Sequence, residues 1–172
     1  MGCFGCIRCP DILPNWDISD FEIRVYDSEF NIPINGEIES DSLYLFTMFE
    51  TEYVQNFEMI SFSLLTSAYG WSCDESGREG INDHISEVKF SSNADFNGFK
   101  KGDALNAIIR TTEGETIEEW IANQESWKNY IYTQSFVIFE KPMNIEQHEF
   151  TIVIKFDSGR ELQSRSESVK WI

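Results

Sequence analysis

The chain has 172 residues, of which 41% are hydrophobic and 25% are charged, and this composition excludes a wholly disordered protein. No apolar run approaches the roughly 20 residues that a membrane-spanning helix requires. Acidic residues outnumber basic ones by 30 to 13, and the formal charge of −17 disfavours binding to nucleic acids or to anionic lipids. We expect a leader over residues 1–16 and a single domain over residues 17–172.

The cysteines suggest a cellular location. Cys3, Cys6 and Cys9 lie in the leader with even spacing, and the fourth cysteine is Cys73. A Gly-Cys pair near the beginning of an exported chain is typical of bacterial lipoproteins, so we predict that Cys3 is the lipid anchor. In an oxidising compartment, a disulfide between Cys9 and Cys73 would tie the leader to the domain. We therefore expect membrane contact only through the lipid.

The same cysteines leave a metal site open as an alternative. Bacterial ferredoxins add a further cysteine shortly after the third one of the cluster, and this chain has none there. Zinc would accept the leader thiolates together with Cys73, although structural zinc sites usually combine two Cys-x-x-Cys pairs. We predict no cofactor.

Apolar and polar residues alternate along several segments of the first half, as is typical of half-buried β-strands. The alternation runs from Phe21 to Tyr26, and the dipeptide Asn35-Gly36 then predicts a tight turn. From Leu43 to Phe49 both faces are apolar, which indicates a central strand covered on two sides. A longer strand of similar character is predicted from Phe57 to Ala68.

The second half continues the β pattern. Strands are predicted from Ile85 to Ser91 and from Trp127 to Glu140, and a short turn is predicted around Leu105, Ile108 and Ile109. The last predicted element is a hairpin, in which residues 150–156 and 162–171 flank an Asp-Ser-Gly turn.

A single short helix is predicted from Thr116 to Asn123. Thr116 and Glu119 have the spacing of a capping box, and the apolar residues that follow recur at helical intervals. Because no longer helices alternate with the strands, a parallel sheet with crossover helices is disfavoured. We predict a mainly β fold, specifically a two-sheet antiparallel immunoglobulin-like sandwich with one short helix.

The segment from Tyr69 to Asp83 is rich in glycine and acidic residues and is predicted to be an irregular loop. Tyr69 and Trp71 lie at its start, where exposed aromatic rings would contact a glycan or a protein partner. Packing of Trp71 over the end of the sandwich is the alternative. Because calcium requires several oxygen ligands, a calcium site is a further hypothesis for the carboxylates of this loop, which are Asp74, Glu75, Glu79 and Asp83.

Motifs of the common hydrolases and nucleotide-binding enzymes do not occur in this sequence. The two histidines, His84 and His148, are predicted to be solvated loop residues. A glycosidase needs two carboxyl groups at a suitable distance in space, which sequence spacing does not reveal, so such a pair stays open as an alternative. We predict no catalytic residues.

Several short motifs follow one another in a recognisable order. They are the loop motif Ala68–Cys73, the strand Ile85–Ser91, the turn Asp95–Gly98 and a final hairpin that starts at Phe150. This order resembles the small cell-envelope lipoproteins of Bacteroidetes that form a family of unknown function. The resemblance implies export, a lipid anchor and an immunoglobulin-like sandwich, and it carries over no catalytic residue.

We therefore expect a non-enzymatic, exported lipoprotein in the envelope of a Gram-negative bacterium, in the periplasm or at the cell surface. Its predicted role is to bind or scaffold an envelope protein or a glycan through loops at one end of the sandwich. Two alternatives remain: a polysaccharide hydrolase that uses paired carboxylates, and a metal-binding protein that uses the cysteine cluster or the acidic loop.

Overall fold

The computed structural model describes residue 13 and residues 15–54, 76–127, 131–143 and 146–172. The fold is mainly β with one short helix, which confirms the predicted class. None of the helices in the described segments is long and apolar enough to cross a membrane. The strands are β1 (Asn15–Asp27), β2 (Glu37–Ile38), β3 (Leu43–Val54), β4 (Gly80–Ile81), β5 (Ile85–Ser92), β6 (Ile109–Thr111), β7 (Thr133–Ile138), β8 (Gln147–His148), β9 (Phe150–Phe156), β10 (Glu161–Arg165) and β11 (Val169–Trp171), and the helix is α1 (Ile117–Ala122).

The largest sheet, sheet A, has the strand order β4-β1-β3-β7-β6 and curls into a half-barrel. Its centre is the long antiparallel pair of β1 and β3, in which the register shifts once, between Ile18 and Asp20. The predicted alternation is confirmed in β1, because Phe21, Ile23 and Val25 are buried on the inner face. This pair therefore supplies much of the core.

Strand β3 lies centrally in sheet A, as its composition predicts, but its two faces differ. Leu43 and Leu45 are fully buried, whereas Tyr44 and Phe46 on the opposite face are only half-buried. In the described part of the chain, this outer face carries a cluster of rings rather than a second covering layer. Tyr26 contacts Phe46 edge-on, with their ring centroids 5.8 Å apart.

Two three-stranded sheets accompany sheet A. Sheet C has the order β10-β9-β5, and sheet B has the order β2-β11-β8. The core lies between sheets A and C, where the rings of Phe90 and Phe136 meet edge-on at 4.9 Å between centroids. Phe96 and Trp171 extend this core beneath sheet B.

The pairing departs from the prediction in several places. Two strand pairs are parallel, β1 with β4 and β2 with β11, although only antiparallel pairs were expected. The predicted turn around Leu105 and Ile108 is present as a 3-10 turn at Asn106–Ile108. The segment Ile109–Thr111, for which no strand was predicted, forms one at the edge of sheet A because it pairs with β7. The predicted strand Phe57–Ala68 lies outside the described residues. The two-sheet immunoglobulin-like sandwich is not confirmed and stays a prediction.

The predicted helix and turn are confirmed in detail. Thr116 and Glu119 form the capping box, in which the Thr116 hydroxyl accepts the Glu119 N–H and the Glu119 carboxylate accepts the Thr116 N–H. Trp120 anchors the helix by burying its ring and donating its indole N–H to Gln134 at 3.1 Å. Both Asn35 and Gly36 have positive φ, as a tight hairpin turn requires.

Replacing Gly36 by alanine is expected to lower the free energy of unfolding by about 2 kcal/mol. Gly36 has φ of +73°, and an added Cβ would lie 2.8 Å from the carbonyl oxygen of Ser168. The backbone has little freedom to move away, because the Gly36 carbonyl accepts the N–H of Lys170. Equilibrium denaturation would measure the change.

Gly159→Ala is the matched control for this substitution. Gly159 also has positive φ, at +85°, but an added Cβ would meet no atom within 4 Å. Gly159→Ala is expected to lower the free energy of unfolding by only about 1 kcal/mol, which is the cost of a positive φ in a residue that has a side chain. Equal losses in the two variants would contradict a steric role for Ser168.

Candidate functional site

An open cleft of about 620 Å³ lies beside the end of β1. Its walls come from the segment between Asp27 and Ser40, which includes β2, and from Ile172. Ile172 is held there by a hydrogen bond from its N–H to the carbonyl of Ile38. The cleft therefore forms where a turn of sheet A meets sheet B.

The cleft combines negative charge with exposed aliphatic side chains. Among the described residues that line it there is no lysine or arginine, and four carry carboxylates: Asp27, Glu29, Glu37 and Glu39. The rim is aliphatic: Ile32 is 62% exposed, Ile34 is 79% exposed and Ile172 is 57% exposed. Apolar side chains left in water in such a group are typical of a surface that binds a partner.

The wall after β1 is held by the carboxylate of Asp27. One of its oxygens accepts the backbone N–H groups of Glu29 at 2.8 Å and Asn31 at 2.9 Å, and the other accepts the Asn31 amide. Burial opposes ionisation of Asp27, but these hydrogen bonds outweigh it and keep its pKa below the ordinary value. Phe30 is held with φ of +62° and stacks on Tyr44 at 4.4 Å. The wall is therefore formed before any partner binds.

A second groove, of about 480 Å³, continues from the cleft and shares Ile32 with it. It runs between β1 and β10, which belong to different sheets. Its two arginines each have a carboxylate nearby: Arg24 lies 3.8 Å from Glu22, and Arg165 lies 3.6 Å from Glu149. The groove thus offers main-chain and apolar surface more than free positive charge.

His148 is buried, so the prediction of a solvated residue was wrong. It lies in β8, and the rings of Phe96, Phe150 and Trp171 surround it. A histidine predicted to lie in a loop was not expected to have such neighbours. Its Nδ1 lies 2.9 Å from the hydroxyl of Ser92, which is also buried. Burial lowers the pKa of His148, and the charge of a nearby glutamate opposes this only in part.

A serine and a histidine in contact can act as nucleophile and base, but the Ser92–His148 pair is buried in the core. Ser92 is 4% exposed and His148 is not exposed at all. The Ser92 hydroxyl also accepts the N–H of Ala94 at 3.2 Å, so both neighbours of this hydroxyl lie within the fold. This arrangement satisfies two buried polar groups and gives a substrate no access to them.

His84 and the described carboxylates of the acidic loop are engaged within the protein. His84 Nε2 lies 3.2 Å from a carboxylate oxygen of Glu125. Asp83 accepts the N–H and the hydroxyl of Ser158 and lies 3.5 Å from Arg160 Nε. Glu79 is exposed beside Arg78. No group of three or more metal-ligating side chains occurs within the described segments, and Asp74 and Glu75 lie outside them.

The resolved pKa shifts of carboxyl groups within the described residues are all downward, in Asp27, Asp95 and Glu119. The largest contribution at Asp95 is a hydrogen bond from Lys100, and at Glu119 it is the hydrogen bond from the Thr116 backbone in the helix cap. The acid of a glycosidase requires a raised pKa. These three carboxylates therefore have structural roles rather than that of a proton donor.

The five residues predicted for specific roles lie outside the described residues. They are the anchor Cys3, the disulfide pair Cys9 and Cys73, and the ligand-contact residues Tyr69 and Trp71. The structure instead brings together a cleft that sequence reasoning missed. The sequence feature that pointed to this cleft was the run of Phe30, Ile32 and Ile34, in which apolar residues alternate as in a strand although the segment is rich in turn-forming residues.

Comparisons with protein-family models, with curated proteins and with solved structures each found no significant match to this chain. The resemblance to envelope lipoproteins therefore stays a prediction, and the cleft is interpreted from its own geometry.

The buried state of His148 predicts a pH dependence of stability. The folded protein holds this histidine neutral at a pKa below 6.5, whereas the unfolded chain takes up the proton as the pH falls below that value. Stability is thus fully present above about pH 6.5 and decreases as the solution becomes more acidic. Urea titrations between about pH 7.5 and 5.5 would measure the slope, in a range above the titration of most carboxylates.

One variant assigns this slope to His148. His148→Gln is expected to be less stable at neutral pH, because it disturbs a buried site, but its stability is expected to depend less on pH. An unchanged slope in His148→Gln would show that another group carries the dependence.

Proposed function

We propose that the protein is a non-enzymatic binding module that captures a protein partner at the cleft beside β1. The observation that carries this proposal is the exposed aliphatic rim of Ile32, Ile34 and Ile172 around a preformed cleft. On a chain with a formal charge of −17, such a group of exposed side chains is costly unless a partner covers it.

The charge of the cleft restricts the partner to a basic one. The part of the cleft lining that the structure describes has four carboxylates and no lysine or arginine, so an anionic ligand would be repelled. Branched aliphatic side chains favour apolar side chains of a polypeptide, whereas glycans favour exposed aromatic faces with hydrogen-bonding groups around them. A basic envelope protein therefore fits better than a neutral or acidic glycan.

We also propose that the protein acts in the cell envelope, anchored by a lipid on Cys3. The Gly2-Cys3 pair supports this proposal, because a lipid on such a cysteine would hold the protein at a membrane. In the producing bacterium, Cys3→Ser is expected to move the protein from the membrane fraction to the soluble fraction and to remove the lipid mass from its first peptide. A lipid-modified Cys3→Ser protein would exclude Cys3 as the anchor, and Cys6→Ser serves as the matched control.

The arrangement of the three sheets in layers is a further part of the proposal. We infer an immunoglobulin-like sandwich in which sheet A forms one layer and sheets B and C form the other. The contact of Phe90 with Phe136 across the core supports this arrangement. The parallel pairs at β4 and β2 would then be local departures at the ends of the layers.

Site-specific photo-crosslinking tests the binding function. A photoreactive residue in place of Glu29, which is exposed and lines the cleft, is expected to give one discrete protein adduct in intact envelopes. The same residue in place of Glu113, which is exposed outside the cleft, is expected to give none. Adding Ile34→Ser to the Glu29 probe should reduce the adduct on the order of tenfold, because an apolar contact is lost.

Two results would contradict the proposal. The first is an equal adduct pattern from both probe positions, which would mean that the cleft is not a preferred contact. The second is turnover of a polysaccharide that is abolished by substituting a single carboxylate, which would favour the alternative of a hydrolase.

A further inference from the structure

One edge of β1 is only partly covered. On the side away from β3, β1 pairs with β4 at Asn15 and Trp16, and no other strand within the described segments pairs with that edge. Farther along, the Ile18 carbonyl accepts a hydrogen bond from the Arg160 guanidinium at 2.6 Å. The Phe21 N–H is satisfied by the carboxylate of Asp20 at 2.8 Å. The first half of this edge is thus closed by side chains and by β4.

The second half of the edge faces the groove between β1 and β10. The Asp27 N–H donates to the Asn31 carbonyl, so it points away from β3. Main-chain groups alternate in direction along an antiparallel strand, which places the N–H and C=O groups of Ile23 and Val25 on the same outer edge. Both residues line the groove. The groove therefore has a short stretch of strand edge along one wall.

The edge of β5 that faces away from β9 shows how this fold covers an unpaired strand edge. Along β5, the Asn106 side chain accepts the Phe90 N–H at 3.0 Å and donates to the Val88 carbonyl at 2.7 Å. The Leu105 N–H donates to the Phe90 carbonyl, and the Gly102 N–H donates to the Ser92 carbonyl. Within the described residues, no comparable side chain or strand covers the outer edge of β1 at Ile23 and Val25, whose side chains are buried in the core, so this stretch is an edge that can accept a strand.

We propose that the basic partner contributes an extended segment that adds as a strand to β1 at Ile23 and Val25. This inference rests on the proposed function, since it specifies the form in which the partner binds. Strand addition would provide about four main-chain hydrogen bonds at these two residues. Because Ile32 belongs to both the groove and the cleft, the same segment reaches the cleft and places its side chains among the carboxylates.

Charge complementarity sets the chemistry of this segment. Together, the groove and the cleft present six carboxylates and two arginines, and each arginine lies near a carboxylate. A segment that alternates lysine or arginine with apolar residues matches both the charge and the period of a strand. A second copy of the chain is disfavoured as the occupant, because it carries the same net charge of −17 and would be repelled.

The test uses the full chain and a synthetic peptide that alternates lysine and valine over about eight residues. Binding would be followed by NMR, which reports amide shifts and hydrogen exchange residue by residue. Because no strand of the described residues pairs with these amides, we expect the amides of Ile23 and Val25 to exchange faster in the free protein than the amides paired between β1 and β3, and to become protected when the peptide binds. A peptide that alternates glutamate and valine is the control for charge and should not bind.

Backbone methylation of the peptide separates strand addition from simple charge attraction. Two further peptides carry N-methyl groups on one or the other alternate set of residues. Only one set faces β1, so one methylated peptide should bind on the order of tenfold more weakly or worse, while the other keeps most of its affinity. These ligand variants require no change in the protein, so the result does not depend on whether a protein variant folds.

The outcomes distinguish this inference from the proposed function. Equal binding of both methylated peptides would overturn strand addition while leaving a basic ligand at the cleft. Amides of Ile23 and Val25 that are already protected in the free monomer would overturn it, since the edge would be occupied by the chain itself. A concentration-dependent dimer with protection of these amides would replace the partner by a second copy. The crosslinks from position 29 test the proposed function without reference to this edge.

Discussion

The pairing of β1 with β3 is the interaction on which the rest of the structure depends. Strand β1 has 13 residues and pairs with β3 along its whole length. Such a ladder buries every second side chain on one face, so Phe21, Ile23 and Val25 enter the core together. The curvature of sheet A follows from the twist of these long strands, and it brings β1 to the border of sheet C without pairing them.

That border explains why the cleft and the groove lie where they do. Arg160 closes one end of it, since its guanidinium binds the Ile18 carbonyl and lies over the ring of Phe156 at 4.0 Å. Toward the other end β1 and β10 leave a groove, and the turn after Asp27 continues it into the cleft. The groove and the cleft share Ile32, so the edge of β1 at Ile23 and Val25, with which no strand of the described residues pairs, lies near the group of carboxylates. We interpret it as a surface for an extended, basic polypeptide.

Many of the acidic residues have structural roles that their number does not suggest. Asp27 closes the loop after β1, Asp83 joins the acidic loop to the last hairpin through Ser158, and Glu119 caps α1. Each accepts hydrogen bonds that would otherwise leave backbone donors unsatisfied. In Asp27, against the effect of burial, and in Glu119, such hydrogen bonds keep the pKa below its ordinary value, so these two carboxylates contribute to stability and to the negative field rather than to proton transfer.

The amino-acid sequence alone determined the elements whose causes are local. The alternation in β1, the Asn35-Gly36 turn and the capping box of Thr116 each depend on neighbours within a few residues, and all three were predicted. Apart from the predicted hairpin of β9 and β10, the tertiary structure alone decided which strands pair, because hydrogen-bonding partners far apart in the chain leave no periodic signal. This is why the β6 strand, the burial of His148 and the cleft at Ile34 were not foreseen. Whether a residue is buried or exposed depends on which distant segments of the chain pack against it.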